Sequence, residues 1–476
     1  MSERIPHFSV SDIVAATRGR LLRGDKNGRC RGISTDTRTL EKGNLFVALQ
    51  GENFDGSDYL QTAADRGASV VMIPMDRQER LASLPENLPA VGVADTLPAY
   101  GALAARWRDN FAIPVIAITG SSGKTTTKEM VAAIASRRMN ILKTEGNFNN
   151  QVGLPLTLFT LREDHRIAIL EMGTNSPGEI AKLAAMAKPD IGLITNVGPA
   201  HLEGLGSLEA VAAEKASLWK VMDGRGTAII NQDDPQLAPF SDQWKGKSVS
   251  FGSGEEADVT ARNIESAGGK GTHFDLVIAG VSSRVFLSTL GMHNVKNALA
   301  AAAATWAAGF ARGEIADGLA SFLPAPGRSE VRELANGAHL MIDTYNANPH
   351  SVAEALKTLQ GLRGKGKAIA VLGDMLELGK TAETWHRATG KIVADGTLDT
   401  LFLKGSLVRH LADAAVTHGF AKDHIIFFDD PDEIVPRLGA MLQKDDWVLI
   451  KGSRKMKMET VAEGVVKAVG RLSNNF

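Results

Sequence analysis

Residues 118–127 read ITGSSGKTTT, a composition suited to holding a polyphosphate. Gly120 and Gly123 let backbone N–H groups approach phosphate oxygens, with Ser121, Ser122 and Thr126 completing the turn. Lys124 supplies a cation for the β- and γ-phosphates, and the Thr125 hydroxyl suits a magnesium shell. The common pattern G-x-x-x-x-G-K-[ST] asks for glycine where Ile118 stands, so the motif is the shorter G-x-x-G-K-T-T. An accidental Gly/Ser turn with a solvated lysine is the competing reading. An apolar run at 115–119 and a helical pattern from Lys124 argue against it, because a phosphate loop needs a strand before it and a helix after it.

Further residues with chemical potential follow other apolar runs. Glu171 comes directly after residues 167–170, where a carboxylate either meets Mg²⁺ or caps the next helix. His201 lies shortly after residues 191–195, past a Gly-Pro turn. Lys215 falls in a helical pattern that starts near Ser207, at the edge of an apolar face formed by Leu208, Val211 and Leu218. A lysine with less water around it is more easily neutral. Asn294 precedes an alanine-rich helix and suits either an N-cap or recognition of an adenine edge. Arg328, in PGRSE, can clamp a phosphate or form an interdomain salt bridge. Asp343, Tyr345, Asn346 and Asn348 crowd one loop before Pro349, which reads as a recognition surface or a well-capped turn.

Such residues converge only if the chain alternates strands and helices. Apolar runs at 115–119, 167–170, 191–195 and 228–230 recur at 340–342, 368–372, 401–403, 425–428 and 447–450, with helical patterns between most of them. This alternation predicts α/β domains with mostly parallel sheets, whose ligands sit beyond the C-terminal strand ends. Breaks near 110–114 and at 323–329 divide the chain into residues 1–110, 111–326 and 327–476. That division suits a length of 476 residues. A net charge of −1 lacks the basic excess of a protein that tracks nucleic acid. The single cysteine, Cys30, excludes an intramolecular disulfide framework and a cysteine-rich zinc module. With neither a signal-peptide pattern at the start nor a long apolar span, a cytoplasmic protein without membrane insertion is expected.

The ordered set TGSSGKTTTK, TEGNFNNQVGLPLTLF, LEMGTNSPGEI, TNVGPAHLEGLGS with AEK, GMHNVKNALAA, PGRSE, DTYNANPHS and VLGDMLELG resembles the Mur ligases of peptidoglycan precursor synthesis over essentially the whole chain. That family's phosphate loop is also the short form. DTYNANPHS and GNFNNQVG look like its dipeptide-adding branch, and no D-N-P-R run of the diamino-acid-adding branch is present. The resemblance implies three domains: a UDP-sugar substrate domain, a central P-loop ATPase-like domain, and a C-terminal Rossmann-like domain that takes the acceptor and closes on ATP. It implies ATP-dependent amide ligation of D-Ala-D-Ala to UDP-MurNAc-tripeptide through an acyl phosphate, by a monomer. Lys124, Glu171, His201 and Lys215 would be catalytic; Asn294, Arg328 and Asp343 would join the loop in binding ATP. Thr125 and Glu171 would serve one Mg²⁺, and His201 with a carbamylated Lys215 a second. The Asp36–Thr37–Arg38 turn would meet the UDP portion, Asn147, Asn149 and Asn150 the sugar or peptide, and Asn346 and Asn348 the acceptor. A related Mur-type or folylpolyglutamate-type ligase with another acceptor, or a non-catalytic nucleotide-binding homologue, remain the alternatives.

Overall fold

The protein is described by a computed structural model covering residues 5–51 and 54–470. It is α/β, built around three sheets. The first sheet has five strands in the order Arg20–Arg23, Ala90–Val93, Val70–Pro74, Leu45–Val47, Ile33–Ser34, parallel except for Arg20–Arg23. Strand Leu45–Val47 ends before a short hairpin pairs Gln50–Gly51 with Phe54–Asp55.

The central sheet has nine strands. Val115–Thr119 lies between Ile167–Glu171 and Ile191–Ile194 and is parallel to both. All three are buried throughout, as continuous apolar runs require when helices cover both faces. The chain leaves Val115–Thr119 for one side of the sheet and later returns to its other side, so the turn at 120–123 sits at a topological switch point. Beyond Thr227–Asn231 and Lys247–Phe251 the sheet changes character. Val259–Ser266, Thr272–Ile278 and Val281–Leu287 form an antiparallel ribbon, which the reading of parallel α/β units did not contain. In its middle strand the buried Phe274 and Leu276 alternate with the polar, less buried His273 and Asp275, the signature of a sheet covered on one face.

The third sheet has the order Glu330–Glu333, His339–Asp343, Trp447–Lys451, Ala368–Gly373, Thr400–Lys404, Ile425–Phe428, with only Glu330–Glu333 antiparallel. Its strand ends face the central sheet's site.

Packing joins these units. Helix Thr96–Arg108 carries Tyr100 and Trp107 into the same core as Phe159 and Leu183 of the central part. Helix Met292–Ala307 buries nine consecutive residues, Asn297–Thr305, six of them alanines, whose small side chains let it lie close against helix Lys124–Ser136 behind the phosphate loop. Leu202 and Leu205 of the central part share a core with Met375 and Leu378 of the last. Among the described residues no helix is long and apolar enough to cross a membrane. Cys30 is buried and unpaired.

Candidate active site

A cavity of about 750 Å³ opens where the central strand ends meet the last sheet. The phosphate loop forms its floor. Gly120 has φ +150° and Gly123 φ +79°. A Cβ at Gly120 would come within 1.9 Å of Thr195 Oγ1, and one at Gly123 within 2.2 Å of Asn297 Oδ1, so both positions demand glycine. The loop is stitched to the chain that follows Ile191–Ile194. Ser122 N–H donates to Asn196 Oδ1 (3.0 Å), while Thr195 Oγ1 and Asn196 Nδ2 donate to the Ser122 carbonyl (2.6 and 3.1 Å). Ser121 Oγ donates to the Gly198 carbonyl at 3.0 Å. Thr195 and Asn196 were missed by sequence reasoning. Their signal was available, since polar residues directly after a buried strand had already drawn attention to Glu171.

Lys124 opens helix Lys124–Ser136 and donates through Nζ to the Gly120 carbonyl at 2.7 Å. Burial pushes its ammonium below the ordinary lysine range; Glu171 opposes this and the Arg328 charge adds to it. Thr125 Oγ1 donates to Glu171 Oε2 and Asn149 Nδ2 to Glu171 Oε1, both at 2.8 Å. Glu171 is the last residue of its strand, 2% exposed, and caps no helix. Its carboxylate faces the phosphate loop instead. Asn147 and Asn150 also line the cavity, though Asn150 Oδ1 accepts from Val152 and Gly153 N–H and so also holds its own turn.

Lys215 lies within helix Leu208–Met222, which Ser207 caps. The residue is 1% exposed, deeper than the edge position read from the sequence, and its ammonium has no ion-pair partner among the described residues. Burial drives it well below the ordinary lysine range, the Lys124 charge drives it further, and Glu214 opposes. Glu214 is itself occupied, accepting from Gly178 and Ile180 N–H at 2.6 and 2.8 Å.

His201 has φ +55°, and its Nδ1 lies 2.8 Å from Oε2 of Glu377, a residue of the last domain that sequence reasoning did not single out. Asn294 corrects an expectation. The helix cap is Gly291, at φ +87°, and Asn294 sits one turn inside with its amide buried. Its Nδ2 donates to Thr289 Oγ1 and the Leu290 carbonyl, and its Oδ1 accepts from Asn297. Among the described residues Arg328 has no salt-bridge partner; its guanidinium stacks 3.9 Å from the Tyr345 ring centre. Although burial works against its charge, Asp343 is held below the usual carboxylate range by Lys451, 2.5 Å away. Asn348 caps helix Pro349–Leu362 through Oδ1 to Ser351 N–H, as the capped-turn reading has it. Its Nδ2 also reaches Ser122 Oγ at 3.2 Å and the Ser121 carbonyl at 3.4 Å, tying the last domain to the phosphate loop. Asn346 uses Oδ1 on the Ala347 N–H.

The Asp36–Thr37–Arg38 turn is not among the residues lining this cavity. Arg38 is 86% exposed along its side chain and closes on Asp36, whose carboxyl it holds down to about 2. The cavity is therefore lined by the phosphate loop, Glu171, His201, Asn294, Arg328, Asp343 and the asparagines, while Lys215 is buried outside that lining but close enough to feel the Lys124 charge.

The donor chemistry fits a magnesium ion at one point. A threonine hydroxyl and a carboxylate already in contact form a hard-oxygen pair beside a phosphate loop. Among the described residues there is no group of three or more His, Cys, Asp or Glu side chains able to hold an ion alone, so substrate oxygens or a modified side chain must complete any shell.

Three family descriptions match the chain in succession: "Mur ligase family, catalytic domain" over residues 29–108, "Mur ligase middle domain" over 118–305 and "Mur ligase, glutamate ligase domain" over 327–454. The chain is also 39% identical over 462 residues to the UDP-N-acetylmuramoyl-tripeptide–D-alanyl-D-alanine ligase of Synechocystis sp., covering 97% of both chains. It belongs to the Mur ligase family. Among solved Mur ligases, the crystal structure of MurF from Acinetobacter baumannii matches with a TM-score of 0.87 at 33% identity, over 98% of this chain and 100% of that one. MurF ligase from Thermotoga maritima, solved in complex with ADP, matches with a TM-score of 0.82 at 29% identity, over 92% and 97%.

The isolation of Lys124 within this Mur ligase site yields a direct test. Lys124→Ala removes one hydrogen bond from the loop and the cation nearest its phosphates, so the fold is expected to persist. Turnover should fall by about 10²–10³-fold or more, as for loss of an electrostatic stabiliser. Steady-state ADP release measures it, and near-normal turnover would contradict the assignment of the loop.

Proposed function

We propose that this Mur ligase joins D-alanyl-D-alanine to UDP-N-acetylmuramoyl-tripeptide at the cost of ATP, giving the pentapeptide, ADP and phosphate. The observation that carries the reading is the convergence of Lys124, Glu171 and His201 at one cavity whose opposite wall, with Arg328, Asp343 and Asn348, comes from the last domain, with Lys215 buried within electrostatic reach of Lys124. Kinship with relatives named for this reaction supports the choice of substrates. The division of labour follows: residues 1–110 hold the UDP portion, 111–326 the ATP, and 327–476 the acceptor dipeptide. The protein works as a monomer in the cytoplasm.

The chemistry must bring two anions together, a peptide carboxylate and the γ-phosphate. Backbone N–H groups of residues 120–123 and the start of helix Lys124–Ser136 receive the phosphates, and Lys124 offsets charge on the transferring group. Thr125 and Glu171 would hold one Mg²⁺, and His201 with a carbamate on Lys215 would hold a second; such ions would supply positive charge against the phosphate and carboxylate oxygens. The terminal carboxylate of the tripeptide attacks the γ-phosphorus and ADP leaves. The amine of the dipeptide then attacks the acyl carbon, forming the C–N bond. Phosphate departs with the C–O electrons and the amine loses a proton. Arg328, stacked on Tyr345, is presented as a planar cation to phosphate oxygens from across the domain boundary. Asn294 and Asp343 complete the nucleotide's surroundings, and Asn147, Asn149 and Asn150 meet the sugar or peptide. Asn346 and Asn348 stand on the acceptor side, and the Asp36–Thr37–Arg38 turn meets the UDP portion.

Burial and the Lys124 charge weaken the hold of the Lys215 amine on its proton, which favours the neutral form that takes up CO₂; the resulting carbamate would be attracted to Lys124.

ADP release, with products followed by mass, is expected only when UDP-MurNAc-tripeptide, D-Ala-D-Ala and Mg²⁺ are all present, with a pentapeptide formed. Release that needs another amine, or none, would move the protein to a different branch. Lys215→Ala should be nearly inactive and partly restored by short carboxylates. In the unaltered protein, lowering pH protonates the Lys215 amine and returns the carbamate to CO₂. Activity in CO₂-free buffer should therefore fall with decreasing pH and recover on adding bicarbonate. Indifference of the rate to bicarbonate throughout would contradict the carbamate.

A further inference from the structure

One turn beyond Lys124, helix Lys124–Ser136 carries a second lysine that has no part in the chemistry above. Lys128 is 1% exposed and is not among the residues lining the cavity. Its ammonium is already answered. Nζ lies 2.8 Å from Glu129 Oε1, and Glu129 Oε2 accepts from Lys143 Nζ at 2.7 Å. Although burial works against its charge, these two cations hold the Glu129 carboxyl below the usual glutamate range. Lys128 is therefore not a cation waiting for phosphate. Its Nζ also donates to the Thr144 carbonyl, at 2.6 Å.

That carbonyl stands where a sheet ladder breaks. Strand Ile141–Lys143 runs parallel to Ile167–Glu171, with Lys143 opposite Ile169, and Thr144 N–H donates to the Ile169 carbonyl at 3.0 Å. Continued in register, a parallel ladder would form its next bond from Glu171 N–H to the Thr144 carbonyl. Here Glu171 N–H donates to Thr144 Oγ1 instead, at 3.0 Å, and Lys128 has the carbonyl. The chain thereby leaves the sheet at Thr144 and folds back over the end of the neighbouring strand. The Asn149 carbonyl accepts from Gly173 N–H, and Asn149 Nδ2 donates to Glu171 Oε1, both at 2.8 Å. A buried ion pair contributes little net stability against a well-packed apolar replacement, so stability is a poor reason to bury a lysine here. We infer that Lys128 is a positioning residue: by taking the Thr144 carbonyl out of the ladder it sets the 144–150 loop, so that Asn149 reaches the Glu171 carboxylate and holds it toward the phosphate loop. The inference rests on the reading of Glu171 as the carboxylate that serves Mg²⁺ at the ATP site.

The test measures, by calorimetry on the full chain, how much Mg²⁺ tightens the binding of a non-hydrolysable ATP analogue. Binding without Mg²⁺ reports on the phosphate loop and the fold. Lys128→Met keeps the apolar stem of the side chain and removes the donor. It should lose about 10-fold or more of the Mg²⁺ effect, as Asn149→Ala should, the range expected when a metal ligand loses a supporting contact. Binding without Mg²⁺ should not change. In the double variant the two losses should not multiply, since both act through one contact. Glu129→Gln leaves the bond from Lys128 to Thr144 in place and should bind as the unaltered chain does. If Lys128→Met alone does not fold, Lys128→Met with Glu129→Gln strands no carboxylate and carries the same expectation. A full Mg²⁺ effect in Lys128→Met, with loss in Asn149→Ala and Glu171→Gln, overturns the inference and leaves the Glu171 reading standing. Losses that multiply in the double variant also overturn it. A full Mg²⁺ effect in Glu171→Gln overturns that reading, and the inference with it.

Discussion

Lys215 is buried close enough to Lys124 to feel its charge, with Glu171 offsetting Lys124 and Glu214 spent on backbone donors. Withdrawing an ammonium from water costs on the order of several kcal/mol. An exposed ion pair returns about 0–1 kcal/mol. Such a pair of cations is tolerable only if anions or a changed side chain answer them. A phosphate loop built to receive a polyphosphate supplies such an answer. The cavity is thus poised for negative charge before substrate arrives, and the like-charge clash is part of its design.

Holding that arrangement requires strand ends from two sheets. The phosphate loop is locked to Thr195 and Asn196 on one side, and Thr125 is locked to Glu171 on the other. These are the two strands that flank Val115–Thr119, so the switch point of the sheet and the centre of the chemistry coincide. The last domain enters at separate points, with Asn348 on the phosphate loop, Arg328 braced by Tyr345, and Glu377 on His201. Docking of the last domain therefore touches the phosphate floor and His201 together, and encloses the cavity between the two domains.

Much of this was legible in the sequence because buried parallel strands write themselves as apolar runs. Val115–Thr119 and Ile425–Phe428 fall where the runs predict them, and the helix at Leu208–Met222 begins after its Ser207 cap. Residues directly past such runs were rightly suspected of facing the cavity. What escaped notice lacked that signal. Strand Lys247–Phe251 is half exposed and mixes polar residues into its run, and the ribbon of Val259–Leu287 alternates instead of running apolar. Asn294 looked like a cap because helix propensity rises after it, yet Gly291 supplies the left-handed turn and the helix starts earlier. The depth of Lys215 depends on elements distant in the chain that cover its helix, and the meeting of Glu377 with His201 depends on how two domains dock. Neither is a property of local spacing.

The central claim is that a peptide carboxylate is activated by direct phosphorylation in this cavity. It is tested most directly with UDP-MurNAc-tripeptide carrying ¹⁸O in its terminal carboxylate, turned over with D-Ala-D-Ala, Mg²⁺ and unlabelled ATP. An acyl phosphate predicts that the released phosphate carries one ¹⁸O from each doubly labelled carboxylate consumed. Amide product accompanied by phosphate free of label would contradict the account.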